Sequence, residues 1–142
     1  MPLSKHYLDM HAVDVPVNFN GMAEFLRQEY PEISFALVMG SAAKGIIGKN
    51  SDLDIAVYYD KQLNWKKLSA IMQSLSDMHQ DIRCDLGLLN NAEVVYRYEA
   101  LKGRLLFFRD QECWLRFYSQ TCREYETQMY HYQKQLQYRM KN

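Results

Sequence analysis

Apolar positions fall into short runs broken by Gly, Pro and polar clusters, and the spacing inside the runs switches between two periods. Residues 1–16 carry no periodic pattern and read as an arm ending at Pro16. Asn18 or Asn20 is placed to cap a short helix whose stripe is Met22, Phe25 and Leu26, and Pro31 ends it. Residues 33–39 (ISFALVM) form a short apolar run between Pro and Gly, which predicts a strand. Residues 41–51 contain Gly45, Gly48, two lysines and Asn50 and predict a short helix and a loop. A second strand is expected over 52–58 and a third over 82–89. Between them, Trp65, Leu68, Ile71, Met72 and Leu75 have helical spacing. Residues 92–102 read as a helix stopped by Gly103 at the C′ position, and 104–108 as a last short strand. From Gln111 onward there is no Pro or Gly, which predicts one long helix. Strands alternating with helices imply an α/β layered domain. The expected organisation is one domain over 1–142, with a core of about 17–110 followed by the long helix from about 111.

Composition narrows the class. The 142 residues are 48% hydrophobic and 24% charged, with 17 basic residues against 17 acidic ones. That balance is globular and excludes disorder as the main state. No run approaches the ~18 apolar residues of a membrane span. The first eleven residues lack the apolar stretch of a secretory signal, so a cytoplasmic protein is expected. Zero net charge argues against a whole-surface grip on nucleic acid. Cys84, Cys113 and Cys122 have neither CxxC nor metal-ligand spacing, which fits a reducing compartment; Cys84 reads as core. His6, His11, His79 and His131 show no metal spacing and read as structural or exposed.

The chemistry is concentrated between Met39 and Val57. A strand ending at Gly40 permits an unusual backbone turn, and Ser41 then opens a short helix. Backbone N–H groups at such a start, together with a hydroxyl, suit phosphate, and Lys44 lies one turn further on, with Lys49 a second cation from the loop. Asp52 and Asp54 follow at i and i+2, so on a strand their side chains share a face. Two like charges there repel, and Mg²⁺ bridging them to substrate phosphate is the natural relief. Asp85, between apolar Cys84 and Leu86, joins the same face if its strand pairs beside that of Asp52; Asp81 is the competing acid and is expected at the strand edge in solvent. Ser51 reads as a turn residue that also supports Asp52. Three carboxylates around Mg²⁺ make a phosphoryl- or nucleotidyl-transfer site.

These residues resemble the nucleotidyltransferase superfamily of DNA polymerase β type: Gly40-Ser41, ten intervening residues, Asp52-Leu-Asp54 and the later strand acid Asp85. The stretch from Gly40 to Val57 and the segment ALKGRLLF over 100–107 are similar to the minimal nucleotidyltransferase (MNT) group, over roughly residues 17–125. That group commonly has Arg at the positions of Ala42 and Lys44; Lys44 keeps the charge without the guanidinium fork, and Ala42 does not. The resemblance implies a nucleotidyltransferase fold, a small mixed β-sheet flanked by helices. It also implies an antitoxin that transfers AMP from ATP to a tyrosine of a HEPN ribonuclease toxin. Asp52, Asp54 and Asp85 would serve the metal and catalysis, and Gly40, Ser41, Lys44 and Ser51 the nucleotide. A contact-only antitoxin with a vestigial site, and an aminoglycoside-type small-molecule nucleotidyltransferase, are the alternatives.

The last helix adds a partner question. Trp114, Phe117, Tyr118, Cys122, Tyr125, Met129, Tyr132 and Leu136 lie close to a three-to-four-residue stripe. Residues 111 to about 125 are expected to pack on the domain. The Tyr- and Met-rich remainder, interleaved with Gln, reads as a docking element, for a partner or for self-association, with a frayed exposed tail as the alternative; the MNT resemblance implies the HEPN toxin as that partner.

Overall fold

The computed structural model describes residues 13–141. In chain order the elements are β1 (Val15–Pro16), α1 (Phe19–Glu29), β2 (Ile33–Met39), a 3-10 turn (Gly40–Lys44), β3 (Ile46–Ile47), β4 (Leu53–Tyr59), α2 (Trp65–Asp77), β5 (Cys84–Leu88), α3 (Val94–Leu101), β6 (Arg104–Phe108) and α4 (Gln111–Lys141). The expected α/β class, the small mixed sheet and the long C-terminal helix are all present.

The main sheet has the order β5-β4-β2-β6, parallel between β4 and β5 and antiparallel at the other two pairings. Its central strands β2 and β4 are buried through the middle, because both faces are covered there. On one face Ala36, Val38, Ile55 and Val57 meet Met22 and Leu26 of α1 and Ile71 and Leu75 of α2. Fully burying one such side chain contributes about 1.5–3 kcal/mol, so this face is the main reservoir of stability. On the other face Phe35, Leu37 and Ala56 meet Ala100 of α3 and Phe117 of α4. Phe35 stacks on Tyr58 and contacts the rings of Trp114 and Phe117, each at a centroid distance of 5.0 Å.

Helix α1 begins where Asn18 accepts a hydrogen bond from the Gly21 N–H at 2.9 Å. Its other end is held from a distance. The Arg109 guanidinium donates to the carbonyls of Leu26, Arg27, Tyr30 and Ile33, at 2.6–3.3 Å. His79, expected to be structural or exposed, is buried and structural: its Nδ1 donates to the Leu75 carbonyl and its Nε2 accepts from the Asn18 N–H, joining the end of α2 to the start of α1. Cys84 is buried as expected. His6 and His11, and most of the expected arm, lie outside the described residues.

Several details depart from the sequence expectation. The arm ends in a strand: β1 pairs antiparallel with β3, burying Val15 and Ile47. Two-residue strands carry no periodicity, so pattern could not announce them. Trp65 stands 79% exposed at the first position of α2 instead of joining its stripe. Tyr118 is also exposed. Gly103 does not terminate α3 through a left-handed conformation; it is glycine because a Cβ there would overlap the Val38 carbonyl. Helix α4, by contrast, follows the expectation: it buries Phe117 and Thr121 in its first half, and Tyr130, Tyr132, Leu136, Tyr138 and Met140 of its second half are exposed.

Candidate active site

The sheet brings the sequence-predicted residues to one end. Asp54, second residue of β4, is the register partner of Met39 across β2 and of Asp85 across β5. Register partners project to the same face, so Asp54 and Asp85 stand side by side. Asp52 precedes the strand by one residue and shares the parity of Asp54. The chain turns sharply after Met39. Gly40 has φ +66, a left-handed conformation costly for other residues, and the position its Cβ would take lies 3.9 Å from Asp54 Oδ2. The turn and the Asp54 carboxylate are therefore in contact range.

The 3-10 turn is held from its far side. Val17 N–H donates to the Gly45 carbonyl at 2.8 Å, and the Phe19 ring lies against Gly45. Ser41 and Lys44 are exposed on the turn, and Lys49 is exposed in the following loop. Ser51 donates its N–H to the Gly48 carbonyl at 3.0 Å and closes that loop immediately before Asp52. Ala42 is buried in the main core, so its methyl packs the turn onto the domain and is not a phosphate-side position. Asp81 is exposed in the loop before β5 with φ +61, away from the strand face, as expected of the competing acid.

The electrostatics are those of crowded like charges. Asp54 has its carboxyl pKa pushed above the ordinary aspartate value, first by partial removal from water and then by the negative charges of Asp85 and Asp52. Arg83 opposes that shift, and its Nε lies 3.3 Å from Asp85 Oδ1. Burial, with Asp85 and Asp54 nearby, drives the Cys84 thiol to about 12, which removes it from nucleophilic chemistry.

The model of the Polymerase beta nucleotidyltransferase family matches residues 21–112, about two-thirds of the sequence. The chain belongs to this family. Similar solved structures are MNT antitoxins in complex with HEPN toxins. A toxin–antitoxin MntA–HpeT complex carrying two Asp-to-Glu substitutions matches at 25% identity and TM-score 0.70, covering 87% of this chain and 99% of that one. A toxin–antitoxin complex with AMP-PNP matches at 26% and TM-score 0.68, with 87% and 99% covered. A Shewanella oneidensis MNT antitoxin complex with tri-AMPylated HEPN toxin shares the fold at 23% identity and TM-score 0.63, with 87% and 96% covered. Among curated proteins none matches.

In this nucleotidyltransferase the donor set suits a divalent cation. Carboxylates are acceptor-only groups, and the mutual repulsion at Asp54 is relieved by a cation between them. Among the described residues no three acidic, His or Cys side chains already converge on one point, and the Arg83 guanidinium occupies one side of Asp85.

Two residues beside these acids went unread in the sequence. Tyr96 of α3 lines a pocket of about 320 Å³ together with Met39, Asp54, Asp85, Leu86 and Gly87. Gly87 leaves room for it, since a Cβ at that position would overlap the Tyr96 hydroxyl. The available signal was a glycine inside an apolar strand, which marks close approach by something else.

Proposed function

We propose that this nucleotidyltransferase is an MNT-type antitoxin, one cytoplasmic domain over its 142 residues, that transfers AMP from ATP to a tyrosine hydroxyl of a HEPN ribonuclease toxin. The cross-strand pair Asp54–Asp85, with the Gly40 turn against Asp54, carries this reading, because it juxtaposes an acidic cluster with a backbone turn able to take phosphates. The relatives at 25–26% identity are toxin–antitoxin complexes, one holding AMP-PNP, which supports both the partner class and a nucleotide substrate.

In the proposed mechanism Asp52, Asp54 and Asp85 would hold Mg²⁺, which would supply positive charge to offset that of the leaving pyrophosphate. Gly40 and Ser41 bind the β- and γ-phosphates through backbone N–H and hydroxyl groups, and Lys44 adds a cation. Ser51 keeps the loop closed so that Asp52 faces the site. Asp85 orients the incoming phenol and takes its proton. A bond forms between the phenolic oxygen and the α-phosphorus, the bond from that phosphorus to the bridging oxygen of pyrophosphate breaks, and pyrophosphate departs. The exposed tyrosines, Leu136 and Met140 of distal α4 give the toxin an apolar surface to dock on.

The test is intact mass of the adjacent reading frame's product, co-produced with this chain or with its Asp52→Asn/Asp54→Asn form. AMP-sized additions seen only with intact carboxylates are expected, with transfer falling by about a thousandfold or more in the double variant. An unmodified partner that is bound and silenced would replace this reading with contact-only neutralisation. No partner binding would redirect it to small-molecule acceptors.

A further inference from the structure

The pocket beneath the carboxylates has a definite chemical character. Met39 and the ring of Tyr96 supply apolar walls, the backbone of Leu86 and Gly87 forms the floor, and Asp54 and Asp85 stand at one end. Its volume of about 320 Å³ is at the small end of the ~300–1,000 Å³ typical of ligand sites. Among the described residues the half-buried Tyr96 hydroxyl makes no hydrogen bond, although a half-buried hydroxyl ordinarily finds one. Gly87, its register partner Ala56 opposite, clears the space for that hydroxyl.

The pocket's position follows from the strand order. The turn that would hold the terminal phosphates lies at the end of β2, Asp54 is next on β4, and Asp85 with Gly87 is on β5 at the edge of the sheet. A ligand in the pocket therefore lies on the carboxylate face of the sheet, reaching from Met39, just before the phosphate turn, to Gly87 and Tyr96 at the sheet edge. Its polar end is acceptor-only apart from one phenol, which favours an occupant that donates a hydrogen bond from the rim of an apolar ring. A phenol does this. A purine carries acceptor nitrogens on either side of its amino donor, so it brings repulsion to the two carboxylates along with its one donating group.

We propose that the pocket formed by Met39, Leu86, Gly87 and Tyr96 is the acceptor subsite, receiving a tyrosyl side chain of the partner protein with its hydroxyl directed to Asp54 and Asp85. The proposal rests on the function given above for its partner class, but the subsite itself is a physical object open to direct binding. Tyr96 is a specificity-determining residue in it: its ring is a wall and its hydroxyl a hydrogen-bonding partner for the bound tyrosine.

The experiment has one arm without catalysis and one with it. In the first, saturation-transfer NMR follows N-acetyl-tyrosinamide on the full chain. Wild type is expected to bind it several-fold more tightly than N-acetyl-phenylalaninamide. Gly87→Ala, whose methyl pushes the Tyr96 side chain into the pocket, is expected to weaken it by about tenfold. Equal binding of the two amides, binding unaltered by Gly87→Ala, or displacement of the tyrosine amide by adenosine would each overturn the subsite. In the second arm, Tyr96→Phe, which keeps the ring and packing, is expected to raise KM for the partner protein several-fold and leave KM for ATP unchanged. A rise in KM for ATP instead assigns the pocket to the nucleoside and overturns the proposal. If wild type transfers no AMP, it is the proposed function that fails, and the amide-binding arm still decides the pocket.

Discussion

The two faces of the main sheet are built from the same strands yet do different work. One face is covered along its length by α1 and α2, and the residues meeting there are apolar and nearly all buried. The other is covered by α3 and the first turns of α4 only where Phe35, Leu37 and Ala56 lie. Beyond them, toward the start of β4 and β5, the acidic pair Asp54–Asp85 faces a pocket. Strand alternation makes this division possible, since Asp54 and Ile55 are neighbours in sequence but belong to opposite faces. Stability is concentrated on the closed face and the candidate site on the open one, so substitutions on the two should separate cleanly in folding and binding assays.

The largest effect on folding is expected from the closed face. Leu26 is fully buried between α1 and the sheet. Leu26→Ala should lower the unfolding free energy by about 2–5 kcal/mol, read from the urea midpoint at unchanged slope. Nucleotide affinity of the folded fraction should be unaltered, because Leu26 is on the face opposite Asp54. A changed affinity at equal folded fraction would show that the faces are coupled.

A smaller effect is expected at Arg109, which ties the end of β6 to the end of α1 and the start of β2 through four backbone carbonyls. Arg109→Ala strips donors from groups that water partly reaches, so a loss of about 1–2 kcal/mol is expected. Arg109→Lys should recover little of it, because a point ammonium does not span acceptors on two segments as the guanidinium fork does. Thermal unfolding of the two variants side by side checks this. Full recovery in the lysine form would reduce the interaction to helix-end charge alone.

The closed face was readable in advance and the open end only in part, for physical reasons. Ile33–Met39, Arg104–Phe108 and the helical stripes of α1 and α2 follow from burial, which imposes a period on the sequence. Within the candidate site, Gly40 with Asp54 and Asp85 emerged because backbone strain and like charge at fixed spacing are costly unless used. The pocket wall did not emerge. Tyr96 comes from another element, and its relation to Gly87 is a contact between side chain and backbone that no spacing encodes. Arg83 beside Asp85 and the β1–β3 ribbon were hidden for the same reason: each depends on tertiary placement of a few residues.

The smallest effect is the most diagnostic, because its sign opposes that of the core substitution. Asp54 has a raised pKa in the folded chain, caused first by partial desolvation and then by Asp85 and Asp52. Between the ordinary aspartate value and the raised one, the folded state binds more protons than the unfolded state. Stability therefore falls as pH rises through that window, and at neutral pH the ionised Asp54 is a net cost to folding. Asp54→Asn removes the charge while keeping the size. Because Asp54 is exposed at the open end of the sheet, solvent screening limits the gain to about 0.5 kcal/mol. The variant should thus unfold at slightly higher temperature than wild type at pH 7, and the difference should vanish as pH falls to where wild-type Asp54 is itself protonated. Added Mg²⁺ should raise the melting temperature of wild type and have less effect on the variant, since the cation relieves in one what the substitution has already removed from the other. A variant less stable than wild type at pH 7 would mean that Asp54 is held by a favourable contact, and that the open end is not the electrostatically strained part of the sheet.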